Sequence, residues 1–64
     1  MDFVYVLIYG NEWDDIIIYL SEVDALEASI KNPNARVGIF SNNGKKGYEP
    51  TYNYFENGKY INHL

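Results

Sequence analysis

Only one stretch of this sequence reads as a helix, and that limits the folds open to the chain. Ser21 offers a side-chain oxygen to the first turn, Asp24 follows three positions later in a near capping box, and Glu22 suits the positive end of the helix dipole. Val23, Leu26 and Ile30 recur at i, i+3 and i+7 with Ala25 alongside, which predicts an apolar stripe for packing. Asn32 is placed for the left-handed position after the helix, and Pro33 stops it. The helix is therefore expected to run for about 10 residues, three turns at most. One short helix covers one side of a sheet, so the rest of the chain has to be arranged around that shortage.

The rest reads as strands. Residues 3–9 are apolar throughout, with β-branched and aromatic side chains, and predict a strand buried on both faces. A polar break, Gly10 to Asp14, carries Trp13; a second strand follows over Asp15 to Leu20, and the short connection makes the two an antiparallel hairpin. Arg36 to Phe40 predicts a third strand in which Gly38 marks a bulge or a close approach. Ser41 to Gly47, rich in Gly and Asn, reads as the longest loop. Pro50 then precedes a fourth strand, Thr51 to Phe55, and Asn57-Gly58 predicts a type I′ turn into a short fifth strand at 59–62. The expected fold is α+β, ββαββ(β): one domain over residues 1–64, a mostly antiparallel sheet with a single helix packed on one face.

A chain of 64 residues buries only about 60% of its unfolded surface, and such small domains usually rely on disulfides, a metal or oligomerisation. There is no cysteine, and the single histidine, His63, cannot make a structural zinc site alone. Oligomerisation or an unusually apolar core remains. The absence of cysteine suits a reducing compartment. The N-terminal run carries Asp2 where a secretory signal needs positive charge, and no run approaches the roughly 20 apolar residues of a membrane span. The expected location is intracellular, the cytoplasm or a virion. The net charge of −4 argues against nucleic acid, which needs a basic face.

Alternation divides each strand into two faces. Val4, Val6 and Ile8, with Ile16, Ile18 and Leu20 and with Val37 and Ile39, make aliphatic sets expected under Val23, Leu26 and Ile30 of the helix, and in the fourth strand Tyr52 and Tyr54 oppose Asn53 and Phe55. The opposite face then carries Tyr5, Leu7, Tyr9, Ile17, Tyr19 and Phe40, where a solvated sheet face should be polar. Such an uncovered patch, rich in tyrosine, is expected to be a protein interface. A charge at Tyr19 should then dissociate the assembly and leave the helix intact.

Candidate chemistry is sparse. Glu12, Asp14 and Asp15 cluster in the first connection but lack the alternating acids and central glycine of a calcium loop, so a solvated acidic turn is expected. His63 has no nucleophile to serve, and Ser21 is explained as a cap while Ser29 lies in no nucleophile elbow. Gly44-Lys45-Lys46-Gly47 joins two strands and does not lead into a helix, unlike a phosphate loop. Tyr48, Tyr52, Tyr54, Phe55 and Tyr60 suggest a base-stacking platform, but Glu49 and Glu56 lie among them, and cross-strand packing accounts for them better. No catalytic residue, cofactor or metal is expected.

The Tyr5-Val6-Leu7-Ile8-Tyr9 strand, Asp14-Asp15-Ile16, Tyr19-Leu20-Ser21-Glu22, Asn32-Pro33-Asn34-Ala35-Arg36-Val37 and Pro50-Thr51-Tyr52-Asn53-Tyr54 together resemble short uncharacterised proteins of large DNA viruses of protists. The resemblance spans nearly the whole chain, carries no activity with it, and implies a viral accessory or virion-associated role. Two functions follow as expectations. The first is a non-catalytic assembly module, a homo-oligomer or a protein docking on a larger particle through its aromatic face. The second is a monomeric acidic binder of a host protein, using Glu12, Asp14, Asp15, Glu49 and Glu56 against a basic target.

Overall fold

Residues 2–63 are described in a computed structural model. Its helix, α1, spans Glu22–Lys31, and Ser21 caps it by accepting a hydrogen bond from the Asp24 N–H at 3.5 Å. The far end closes differently from expectation: Asn32 has φ −125°, outside the left-handed region, and its backbone N–H and side-chain amide both donate to the Ala28 carbonyl. Two donors on one carbonyl satisfy the last turn without a left-handed residue.

Five strands make one sheet: β1 Phe3–Ile8, β2 Ile16–Tyr19, β3 Val37–Asn43, β4 Gly47–Glu56 and β5 Lys59–Ile61, in the order β2-β1-β3-β4-β5 with every neighbouring pair antiparallel. This is the α+β architecture the pattern predicts. A single-turn 3-10 helix, Trp13–Asp15, leads into β2. The chain crosses from β2 through α1 to β3, and β1 lies between those two strands.

The segment Ser41 to Gly47 is not a loop. It extends β3 and turns tightly into β4, with Ser41 opposite Glu49, Asn42 opposite Tyr48 and Asn43 opposite Gly47. Its Asn and Gly content lowers strand propensity, but pairing along β4 overrides that weak preference. Pro50 likewise sits inside β4, opposite Phe40. Between Gly38 and Phe40 the register shifts: Gly38 faces Tyr54 while Phe40 faces Pro50, so β4 carries two extra residues. Thr51 supports this bulge by donating its hydroxyl to the Ile39 carbonyl at 2.8 Å and accepting from the Asn53 N–H at 3.2 Å. Tyr52 within it has φ +70°.

Asn57 and Gly58 both have positive φ, 51° and 79°, as a type I′ turn requires. Gly58 is also where the turn meets the helix. A Cβ there would lie 2.9 Å from Ile30 Cγ1, and its N–H donates at 3.0 Å to Ser29 Oγ, which donates in turn to the Leu26 carbonyl. Gly58→Ala should therefore cost about 1 kcal/mol through strained φ and crowding, read as a lowered thermal midpoint.

The core lies between α1 and one face of the sheet: Leu7, Val37, Ile39 and Phe55 against Ala25 and Ala28, with Tyr5, Tyr19, Leu26 and Ala35 packed around it. Two sequence expectations are corrected here. Of the Val23/Leu26/Ile30 stripe, Leu26 packs at the margin of the core and the other two do not. Val23 is 70% exposed and Ile30 is exposed as well, while Ala25, Ala28 and Ser29 face the sheet. Bulky Tyr5, Leu7 and Phe55 rise from the sheet, so the helix approaches through its smallest side chains. The second correction follows from register. Tyr5 pairs with Ile39 and Tyr19, and Leu7 with Val37 and Ile17. Directly opposed residues share a face, so these side chains lie under the helix and Val4, Val6, Ile8, Ile16 and Ile18 do not.

Candidate functional site: the helix-free sheet face

Register also defines what the helix leaves open. Val6 pairs with Ile18 on one side and Gly38 on the other, Ile8 with Ile16, Val4 with Phe40, and Tyr54 with both Gly38 and Ile61. These residues therefore share the face turned away from α1. Across all five strands its middle is aliphatic or aromatic. Ile8 is 52% and Ile18 59% exposed, and Val4, Val6, Ile16, Phe40 and Tyr54 are half-buried by one another. A shallow groove of about 800 Å³ runs over Val6, Ile8, Gly38, Phe40 and Tyr54.

Gly38 shapes that groove. The Phe40 ring lies over it, so that a Cβ on Gly38 would meet Phe40 Cε1 at 3.2 Å. The missing side chain lets the ring lie flat along the sheet. At one end the guanidinium of Arg36 sits 4.5 Å over the Tyr54 ring and 3.4 Å from Glu56 Oε2. Charge is thus placed at the rim of the face, with its apolar centre left open.

Of the six residues expected at an interface, Phe40 alone lies on this face. Leu7, 1% exposed, is in the core, and Tyr5 and Tyr19 pack against it. Ile17 shares their side by pairing with Leu7. Tyr9 lies beyond β1, its hydroxyl donating to the Asp14 carbonyl at 2.9 Å. Burial pushes the Tyr5 phenol above the ordinary tyrosine range, and the Glu22 carboxylate acts in the same direction. It stays neutral, as a packed ring should. The residues that sequence reasoning missed are Val4, Val6, Ile8, Ile16, Ile18 and Tyr54. The one sequence signal for them was indirect: Ala25, Ala28 and Ser29 form a small-residue stripe that fits over large aromatic side chains.

The other candidates fall into structural roles. In the acidic connection, Asp15 accepts from the Glu12 N–H at 3.0 Å, closing the turn. Among the described residues no group of three or more acidic, histidine or cysteine side chains is placed to hold a metal. The Lys45-Lys46 turn is held by Lys46 N–H donating to Asn43, and Lys46 reaches Glu49 at 4.0 Å. The aromatic run divides between faces: Phe55 and Tyr60 meet edge to face on the helix side, while Tyr54 lies opposite. The His63 ring lies 5.7 Å from that of Tyr52. No described helix is long and apolar enough to cross a membrane.

Comparison with known proteins adds no relative: no family model matches the chain, and neither a curated protein nor a solved structure does.

Proposed function

We propose that this protein is a non-catalytic assembly module that associates with a second copy of itself through the helix-free face. The observation that carries the reading is an apolar sheet centre over which no described helix or strand packs. Antiparallel sheets that face water alternate apolar with polar residues; on this side β1 and β2 present Val4, Val6, Ile8, Ile16 and Ile18 instead.

A second copy fits on area and on chemistry. The two longer dimensions of the molecule are 33 and 27 Å, and a stable interface buries roughly 800 Å² per partner, so a second copy would engage most of one broad face. Two such faces pack as a sandwich, with their side chains interdigitating across about 10 Å. A two-fold pairing needs only a surface complementary to itself, and an apolar centre with Arg36 and Glu56 at the rim meets that condition. The small internal core gives the chain reason to use it, since six buried apolar residues among those described are few for a stable domain.

Solution mass by light scattering over a dilution series tests this. The wild type should run at twice the 7.4 kDa of one chain, and Val6→Lys, at the centre of the face, should run as a folded monomer. Ile8→Glu, nearer the rim and half-exposed, supplies the same test where Val6→Lys is too disruptive. A monomeric wild type overturns the reading, as does a dimer indifferent to both changes. Tyr19→Glu, which the sequence alone would place at the interface, should instead disturb the fold, because Tyr19 packs on the core.

A further inference from the structure

The sheet has two outer edges, and they are built differently. At one, β5 is three residues long and carries Lys59, and the adjoining stretch of β4 contains Pro50, which has no N–H to offer. Short strands, lysine and proline are the usual guards against pairing by a foreign strand. At the other edge lies β2, with the sequence Ile16-Ile17-Ile18-Tyr19 and neither lysine nor proline.

The direction of its free groups follows from the ladder. Tyr9 N–H donates to the Asp15 carbonyl at 3.0 Å, and the β1/β2 register continues that pairing through Leu7 with Ile17 and Tyr5 with Tyr19. Hydrogen-bonded and non-hydrogen-bonded pairs alternate in an antiparallel ladder. The N–H and C=O of Ile18 and the C=O of Ile16 therefore point outward, away from β1, while the Ile16 N–H closes the 3-10 turn by donating to the Trp13 carbonyl.

Charge says what could pair there. The first 30 residues hold seven acids and no base, while the remainder holds five bases and two acids, giving the net −4. Glu12, Asp14 and Asp15 stand at the start of β2. With Ile30 directed at Gly58, helical spacing puts Asp24 about 120° around α1 from it, toward the side of β2, whereas Glu27, three residues before Ile30, stays on Ile30's side. The two ion pairs among the described residues, Arg36–Glu56 and Lys46–Glu49, involve none of these acids. Pairing β2 with β2 of another copy would set acids beside acids in either strand direction, which disfavours that occupant.

We infer that the β2 edge accepts, by strand addition, an extended segment of a different protein: a short β-branched run with Lys or Arg at both ends. The open edge makes the site, and the acids select its occupant. Main-chain hydrogen bonds to the Ile16 carbonyl and to the N–H and C=O of Ile18 would supply affinity, and the flanking acids specificity. Ile16 and Ile18 turn their side chains to the helix-free face and their free main-chain groups to this edge, so solution mass tests the first proposal and peptide binding the second, and the two can fail independently.

The test uses the full chain and a synthetic peptide, Arg-Lys-Thr-Val-Thr-Val-Arg-Lys, with a control in which Glu replaces every Arg and Lys. Hydrogen exchange should show new protection at the Ile18 amide and no change at Ile16, which the Trp13 carbonyl already holds, or at Ile17 and Tyr19, which the β1 ladder already holds. The single tryptophan, Trp13, 89% exposed and next to β2, should change its emission on titration. Binding should weaken about tenfold in Asp14→Lys/Asp24→Lys and also at high salt, and the acidic peptide should not bind. Protection elsewhere, equal binding of both peptides, or no binding overturns the inference. In the last case the acids serve only to keep copies of this edge apart.

Discussion

Leu7→Ala should bring this protein to the limit of folding. Leu7 is 1% exposed, lies on β1, which has a neighbour on each side, and packs in the core between the helix and the sheet. Truncating a buried leucine costs about 2–5 kcal/mol, part of it lost transfer energy and part the cavity left behind. A chain of 64 residues has a total stability of about 3–10 kcal/mol, so the loss is a large share of the whole. In urea the unfolding midpoint should fall sharply with little change in slope, or the variant should be unfolded in buffer. Ile8→Ala is the informative neighbour. It removes a side chain of equal size one position along the same strand, from the open face. Its cost to the isolated fold should stay below about 1 kcal/mol, and any further loss should depend on protein concentration, because it would come from assembly.

That difference between adjacent residues also shows what could be read in the sequence. Local chemistry was legible. Ser21, Pro33 and the Asn57-Gly58 pair each act through their own backbone geometry, and helix start, helix stop and type I′ turn lie where those residues place them. Alternation within β1, β2 and β3 was legible too. Which alternate set meets which across strands was not, because β1 is apolar on both sides: Phe3, Tyr5 and Leu7 on one, Val4, Val6 and Ile8 on the other. A one-residue change of register exchanges such sets, and a strand apolar on both sides has no internal penalty for either choice. The existence of an uncovered apolar face followed from counting helices; its membership needed the pairing of Leu7 with Val37. Ser41 to Asn43 read as a loop for a related reason, since their strand state comes from partners on β4 and not from their own propensity.

The helix orientation can be tested by adding atoms instead of removing them. Ala25 is 0% exposed against the sheet; a leucine there keeps the helix propensity nearly unchanged but needs space that Leu7, Val37 and Phe55 already fill. Overpacking of this kind costs about 1–3 kcal/mol and sometimes more. A 10-residue helix has few other contacts with which to absorb a shift, so Ala25→Leu should fall at the upper end. Val23→Ala removes bulk from the stripe that the sequence pattern favours, yet with that residue 70% exposed it should change stability by no more than about 0.5 kcal/mol. Paired urea titrations of the two variants decide the matter. A costly Val23→Ala with a tolerated Ala25→Leu would turn the helix over onto Val23, Leu26 and Ile30 and remove the reason for Tyr5 and Leu7 to lie beneath it. The opposite result holds the helix close through its methyl groups, and it is that closeness, committed to one side of the sheet, that leaves Val6 and Ile18 open on the other.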